Sequence, residues 1–183
     1  VYNIIIDDIF SKIVAVLLIA GPYTFIIVST RESQKSRERV LHLGVSQISG
    51  ASSTSVGGYV EPEAPEDNSA QFDRSDTRTL DEIVNWLLEM GYIPSFCTAC
   101  YREGRTGDRF MKLVKSGQIA NCCHPNALMT LKEYLEDYAS PDTKAKGEKL
   151  IAEQLEKITN PKVKERAKEY IENIHLGKRD FRF

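Results

Sequence analysis

The segment that organises this chain is Phe96-Cys97-Thr98-Ala99-Cys100, together with a second segment, Asn121-Cys122-Cys123-His124-Pro125. These two segments contain all four cysteines of the protein. Two cysteines separated by two residues can reach one metal ion or cluster from a single tight turn, and a third from a distant segment adds to the same coordination shell. Because 22 residues separate Cys100 from Cys123, the pattern reads C-x2-C-x22-C, with Cys122 as an additional thiol. The pattern predicts a metal site.

The composition is that of a soluble globular protein. Of the 183 residues, 42% are hydrophobic and 27% are charged, which is ordinary. This length is enough for one large domain or two small ones. The net charge of −2 gives no electrostatic reason to expect binding to nucleic acid or to an anionic membrane. Four clustered cysteines are unlike a secreted disulfide framework, and they favour a reducing compartment.

Upstream of the cysteines, helix-like and strand-like patterns alternate. Each predicted helix, ended by a glycine, is followed by a short apolar run typical of a buried strand. Three such alternations predict a parallel sheet with helical crossovers. Three strands are too few to close a barrel, so we predict an α/β fold comprising the last strand–helix units of a partial parallel barrel. The predicted helices cover 7–19, 31–43 and 79–91, and the strands 24–29, 45–49 and 92–96.

The first of these helices is predicted to be largely buried, since seven of its residues between 9 and 18 are apolar. An alternative interpretation treats 13–29 as one membrane span, because these 17 residues carry no charge. That length is at the lower limit for a bilayer helix, and Gly21-Pro22 lies at its middle. Helix, turn and strand explain the same residues without penalty, so we prefer that interpretation.

Two loops complete the first half. The run of small residues at 50–58 follows the second predicted strand, where a ligand loop lies in an α/β barrel. The same composition is typical of a flexible loop, and composition alone favours that interpretation. Residues 61–75 are acidic and poor in large apolar side chains, which predicts an exposed connection.

Downstream of Cys100 the patterns are helical. A loop is predicted over 101–107, a short helix over 108–114, and longer helices over 125–138, 140–158 and 160–176. Pro125 suits the first turn of its helix. Cys123 would then lie just before a helix N-terminus, where the dipole and the free N–H groups favour a thiolate or an anionic cluster.

The residues alone do not decide which metal or cluster the site binds. A structural zinc site would use all four thiols, although adjacent residues such as Cys122 and Cys123 seldom both reach one tetrahedral ion without strain. A [4Fe–4S] cluster with three cysteine ligands leaves one iron open to a small molecule, and C-x2-C-x22-C supplies three. Spacing does not separate these two interpretations.

Several motifs around and beyond the cysteines resemble one enzyme family. They are GYIPSFCTACYR at 91–102, GRTG at 104–107, CHPNAL at 123–128, LKEYL at 131–135, DYAS at 137–140 and KRDFRF at 178–183. Together they resemble the C-terminal region of the HydG family, the radical S-adenosylmethionine tyrosine lyases (2-iminoacetate synthases) of [FeFe]-hydrogenase maturation. The resemblance covers essentially the whole chain.

The resemblance implies a fold and a chemistry. Residues 1–96 would be the C-terminal part of a radical SAM-type barrel, and residues 97–183 a helical domain carrying a [4Fe–4S] cluster. Family members cleave tyrosine to p-cresol and dehydroglycine, and they make CO and cyanide at this second cluster. Cys97, Cys100 and Cys123 match its three ligands. Cys122 matches none, and we expect it to be a small buried thiol.

On the substrate side, the resemblance implies that Arg31 contacts the substrate carboxylate and that Ser52 lies nearby, although Gly50 to Ser53 departs from the family pattern. The expected partners are the tyrosine-derived fragment, cysteine, CO and cyanide, and other hydrogenase maturation proteins, in the cytoplasm or the matrix of an anaerobic organelle. The C-x3-C-x2-C motif that binds the S-adenosylmethionine cluster is absent, and the chain opens with Val1. We therefore expect a piece of a longer protein, inactive by itself. The alternative function is a non-catalytic metal-binding module.

Overall fold

The computed structural model describes residues 5–21, 23, 25–55, 58–60 and 73–183. The chain forms two compact units, residues 1–80 and residues 81–183. The described residues contain eight helices and two short strands. In chain order they are α1 (Asp7–Ala20), β1 (Ile27–Val28), α2 (Gln34–Leu43), β2 (Gln47–Ile48), α3 (Leu80–Glu89), α4 (Ala99–Arg102), α5 (Gly107–Lys115), α6 (Ala120–Asp137), α7 (Pro141–Glu156) and α8 (Pro161–His175).

The first unit contains a pair of short parallel strands joined by a helix. Ile27 of β1 lies opposite Gln47 of β2, and α2 forms the crossover between the strands. The parallel pairing predicted for the segments 24–29 and 45–49 is confirmed, although each observed strand has only two residues. The core of this unit consists of four buried valines, Val14, Val28, Val40 and Val45.

Local signals set the ends of α2. Ser33 Oγ accepts a hydrogen bond from Ser36 N at 3.2 Å, which caps the first turn. Gly44 ends the helix with a φ of 114°, a left-handed conformation that glycine adopts without a Cβ penalty. The predicted end of the helix at Gly44 is confirmed.

α1 is less buried than its apolar sequence predicts. Only Ser11 and Val14 are buried in this helix, whereas Val16 is 62% exposed and Ile19 81% exposed. The prediction of a largely buried helix is therefore wrong. α1 packs against α2, and one neighbouring helix with a two-stranded sheet cannot cover both faces of an apolar helix. Among the described helices, none has the length and apolar character needed to span a membrane.

The second unit is built around α6, which packs against α7 and α8. Ser140 caps α7 by accepting from Thr143 N at 3.4 Å, and Asn160 caps α8 by accepting from Lys162 N at 3.1 Å. Both predicted helix starts are confirmed. The helical character predicted for the C-terminal half is also confirmed. The core cluster comprises Val84, Leu88, Leu128, Leu131, Tyr134, Leu135, Leu150, Ile151, Leu155, Ile158 and Ala167.

A glycine allows the close approach of α7 to α6. A Cβ atom built on Gly147 would lie 2.5 Å from Leu135 Cδ1 and 2.7 Å from Leu135 Cδ2. Carbon atoms do not approach so closely without displacement, so residue 147 has to lack a side chain for these two helices to pack as they do.

Residues 92–96 do not form the predicted third strand. Tyr92 N donates to Leu87 O at 2.9 Å, at the end of α3, and Phe96 N donates to Thr130 Oγ1 of α6 at 3.2 Å. Pro94 has no N–H to give to a sheet. Because helices already use these backbone donors, the segment is an irregular connection, and the prediction of a strand is wrong.

The units divide between residues 80 and 81, whereas the predicted domain boundary lies between residues 96 and 97. The apolar face of α3 explains the difference, since Val84 and Leu88 belong to the core cluster of the second unit. Residues 61–72 of the predicted exposed connection lie outside the described residues. The described chain is mostly helical with a two-stranded parallel sheet, and the wider barrel stays a prediction.

Candidate metal centre

Cys97 and Cys100 lie on a short, tightly wound segment, with Cys97 just before α4 and Cys100 within it. Ala99 N donates to Cys97 Sγ at 3.4 Å, and Arg105 N donates to Cys100 O at 2.8 Å. Ala99 is 4% exposed and anchors the turn, while both cysteines are half-buried. The predicted loop over 101–107 is wrong at its start, because the helical turn of α4 continues through its first two residues.

Cys123 lies in the first turn of α6, which begins earlier than predicted. α6 starts at Ala120 and contains Pro125 in its interior. Cys123 N donates to Ile119 O at 2.7 Å, and Ala120 N donates to Gly117 O at 3.2 Å. A helix start at Pro125 is therefore wrong, because a turn through Gly117 and Ile119 leads directly into the helix.

The four thiols form one electrostatic group. Burial of the Cys123 thiol, followed by the proximity of the other three thiols, raises its pKa to about 11. Arg105 acts in the opposite direction without offsetting this. The predicted position of Cys123 before a free helix N-terminus is wrong, since its amide is bonded to Ile119 O, and the anionic cluster expected there stays a prediction. The structure brings Cys97, Cys100 and Cys123 together, and their role as ligands stays a prediction.

The donor set is compatible with both a zinc ion and an iron–sulfur cluster. All four cysteines are free thiols, and thiolates are ligands of both zinc and iron–sulfur clusters. In the part of the chain that the structure describes, no group of three His, Cys, Asp or Glu residues is placed to hold one metal ion.

Cys122 differs from the small buried thiol that was expected. It is half-buried and accepts a hydrogen bond from Arg105 Nη1 at 3.5 Å. Arg105 Nη2 also donates to Phe183 O at 2.7 Å. Two buried nitrogen atoms near the cysteines, Arg105 Nε and His124 Nε2, have no hydrogen-bond partner among the described residues.

The segment 178–183, called here the C-terminal segment, lies against the cysteine region, and sequence reasoning assigned it no role. Arg102 forms a bidentate ion pair with Asp180, with 2.8 Å between Nη2 and Oδ2. Arg182 Nε donates to Glu103 Oε1 at 2.7 Å. The alternating charges of YREGR (101–105) and KRDFRF (178–183) were the signal in the sequence for this contact. No rule of local spacing, however, pairs two segments so far apart in the chain.

Two cavities flank the C-terminal segment. The smaller, of about 110 Å³, has Cys97 in its wall. The larger, of about 520 Å³, is lined by Arg105, Arg109 and Tyr170 among others. Residues 180–182 line both cavities, so the segment forms the wall between them.

Arg31 and Ser52, the predicted substrate-side residues, follow β1 and β2 in the first unit. Arg31 is exposed, and its N–H donates to Ser29 Oγ at 3.2 Å. Ser52 is half-buried, and its carbonyl oxygen accepts from Arg74 Nη1. Segments that follow neighbouring parallel strands leave the same edge of a sheet, where ligand loops lie in α/β folds. Their role in substrate binding stays a prediction.

Comparison with known proteins identifies what the chain resembles. Residues 4–93 match the Biotin and Thiamin Synthesis associated domain. The chain is also similar to a crystal structure of HydG, described as a maturase of the [FeFe]-hydrogenase, with 51% sequence identity and a TM-score of 0.90. The match covers 98% of this chain and 38% of that one. The comparison with curated protein sequences gave no match. The resemblance to the C-terminal part of HydG, predicted from the motifs, is confirmed.

Proposed function

We propose that the chain is the C-terminal segment of an [FeFe]-hydrogenase maturase, in which Cys97, Cys100 and Cys123 hold a [4Fe–4S] cluster. The convergence of these three free thiols carries the proposal, in a chain 51% identical to a HydG structure over 98% of its length. When bound, the cluster would supply an iron atom without a protein thiolate, open to a small-molecule ligand.

The chain's own contribution begins with deprotonation of the ligands, since only thiolates bind metal. The raised pKa of Cys123, about 11 in the metal-free chain, means that this thiol is protonated at neutral pH. Binding of the cluster therefore has to release its proton, and the apparent affinity rises as the pH rises. Arg105 lies near enough to lower the pKa of Cys123, so it favours the charged form of the ligand.

We extend the proposal to the complete maturase, in which tyrosine is cleaved to p-cresol and dehydroglycine and the fragment is converted to CO and cyanide. The present chain spans 38% of the HydG chain that it matches and lacks the C-x3-C-x2-C motif. These reactions therefore belong to a longer protein, and this segment alone is expected to consume neither S-adenosylmethionine nor tyrosine. In the complete protein, Arg31 and Ser52 would contact the substrate, since a guanidinium binds a carboxylate through two hydrogen bonds. Other maturation proteins would be its partners.

The first test is anaerobic reconstitution with iron and sulfide, followed by metal analysis and EPR spectroscopy of the reduced protein. Replacing Cys97, Cys100 or Cys123 by Ala should abolish the cluster signal, because each change removes one of three ligands. Cys122→Ala is the matched control, since it removes a neighbouring thiol and should retain the signal. Loss of the signal in the Cys122 variant alone would contradict the ligand assignment.

The same preparation tests the alternative of a non-catalytic metal-binding module. Stoichiometric zinc that resists exchange for iron would support that alternative. If the cluster forms, titration with free cysteine and then with cyanide should change the EPR spectrum, because one iron lacks a protein thiolate. A spectrum unchanged by both ligands would mean that this position is blocked, most simply by Cys122.

A further inference from the structure

The C-terminal segment is anchored firmly to the helical core. Asn126 of α6 is 3% exposed, and its Oδ1 accepts from Phe183 N at 2.9 Å. The ring of Phe181 stacks on Tyr170 of α8 at 4.6 Å between centroids. Asp180 N donates to Glu133 Oε1 of α6 at 2.8 Å. Two long helices therefore hold this segment through buried, aromatic and backbone contacts.

The turn that carries Cys97 and Cys100 is short. α4 has four residues, and one helical turn is not stable by itself, because nucleation fixes several residues for each hydrogen bond gained. Besides the buried Ala99, two side chains hold it to the C-terminal segment, Arg102 through its bidentate pair with Asp180 and Glu103 through its contact with Arg182. The anchored C-terminal segment therefore helps to hold the Cys97–Cys100 turn in place.

We propose that the Arg102–Asp180 pair is a positioning contact that fixes the Cys97–Cys100 turn against α6. It thereby sets how long the three-thiolate site retains its cluster. The effect on cluster retention rests on the proposed function, whereas the fixing of the turn is a property of the metal-free chain. Arg102 and Asp180 act through the turn, and neither is a ligand.

The backbone at Asp180 decides which variants are suitable. Its φ is 72°, a left-handed conformation that Asn and Asp tolerate better than other residues with side chains. Asp180→Asn therefore removes the charge without straining the backbone, whereas Asp180→Glu would not be a clean variant. Arg102→Gln removes the opposite charge, and Arg102→Lys keeps the charge but loses the bidentate geometry. Asp142→Asn is the matched control, because Asp142 is also an exposed carboxylate, paired with Lys146 in α7.

The decisive experiment uses the full metal-free chain under reducing conditions. A short pulse of iodoacetamide is followed by mass spectrometry, with the rates at Cys97 and Cys100 normalised to a cysteine-containing peptide added as an internal standard. We expect Asp180→Asn and Arg102→Gln each to raise both normalised rates about threefold, with Arg102→Lys between them and the wild type. The double variant should equal the single variants, since one shared contact can be lost only once. Asp142→Asn should change nothing.

Asp180→Asn and Arg102→Gln change the charge in opposite directions, so together they distinguish a positioning role of the pair from a purely electrostatic one. If charge alone set thiol reactivity, Asp180→Asn would accelerate alkylation and Arg102→Gln would slow it, because a nearby cation favours the thiolate. Opposite effects of the two single variants, additive effects in the double variant, or rates unchanged from the Asp142→Asn control would each overturn the proposal.

The cluster is tested in parallel by release of iron to a chelator from the anaerobically reconstituted protein. The variants should lose iron in the order in which their thiols become reactive. If the wild-type chain binds no cluster, the proposed function fails, yet the alkylation rates still decide whether the pair fixes the turn. If the cluster forms and all variants release iron at the wild-type rate, the retention clause fails while the proposed function stands.

Discussion

Gly147→Ala tests the packing of α7 on α6, the helix that carries Cys123. In a helix interior, Ala is about 1 kcal/mol more favourable than Gly, so a free position would be stabilised by that amount. Here the new Cβ would lie within 3.1 Å of three carbon atoms of Leu135, a side chain that is 1% exposed and has no room to withdraw. Overpacking of this kind costs about 1–3 kcal/mol.

Because three atoms of a confined side chain are involved, the upper part of that range applies. We expect Gly147→Ala to lower the free energy of unfolding by about 1–2 kcal/mol after the helix-propensity gain is subtracted. For the second unit this corresponds to a fall in Tm of roughly 5–10 °C. The assay is urea unfolding followed by fluorescence of the single tryptophan, Trp86, which is buried in α3.

Ala145→Gly, at an exposed position of the same helix, calibrates the propensity term and should cost about 1 kcal/mol. If Gly147→Ala stabilises the protein by as much as Ala145→Gly destabilises it, the close approach at Gly147 is refuted. A second check places Gly147→Ala in a Leu135→Ala background. There the cost should shrink, since the clashing atoms are gone.

Two further predictions concern charges in the second unit. Burial opposes ionisation of Asp81, but hydrogen bonds from Ser140 and Thr143 outweigh it and lower its pKa. Asp81→Asn should therefore cost about 1–2 kcal/mol in urea unfolding at pH 7, and the difference from wild type should narrow as the pH falls below about 4; a constant difference would contradict this reasoning. Lys132 is 4% exposed and pairs with Glu136 at 2.7 Å. Lys132→Met should cost about 1–3 kcal/mol, less than a fully isolated buried pair because Glu136 keeps other basic partners; unchanged thermal stability would show that the pair contributes nothing.

Elements fixed by local chemistry were predictable from the sequence. The starts of α7 and α8 follow from Ser140 and Asn160, each of which accepts a hydrogen bond from an amide two or three residues later. The end of α2 follows from Gly44, because the left-handed φ of this one residue ends the helix. Such signals need no knowledge of the rest of the fold.

Elements decided by distant partners were not predictable. Residues 92–96 have the apolar pattern of a strand, but helices on either side in the chain take their backbone donors. The candidate site shows the same limit. Cysteine spacing located it, whereas the Arg102–Asp180 contact joins residues 78 positions apart, a pairing that no spacing rule contains.

The proline inside α6 divides that helix into two parts, of which the first can shift more easily than the second. Pro125 is fully buried and has no N–H, so the carbonyl group of Asn121 lacks the usual donor four residues later. The five helical residues before it, which include Cys123, are thus tied to the remainder of α6 by one hydrogen bond fewer. The part that follows is locked into the core through Leu128 and Leu131. Small shifts of the end that carries Cys123 can therefore be absorbed before they strain the packed leucines.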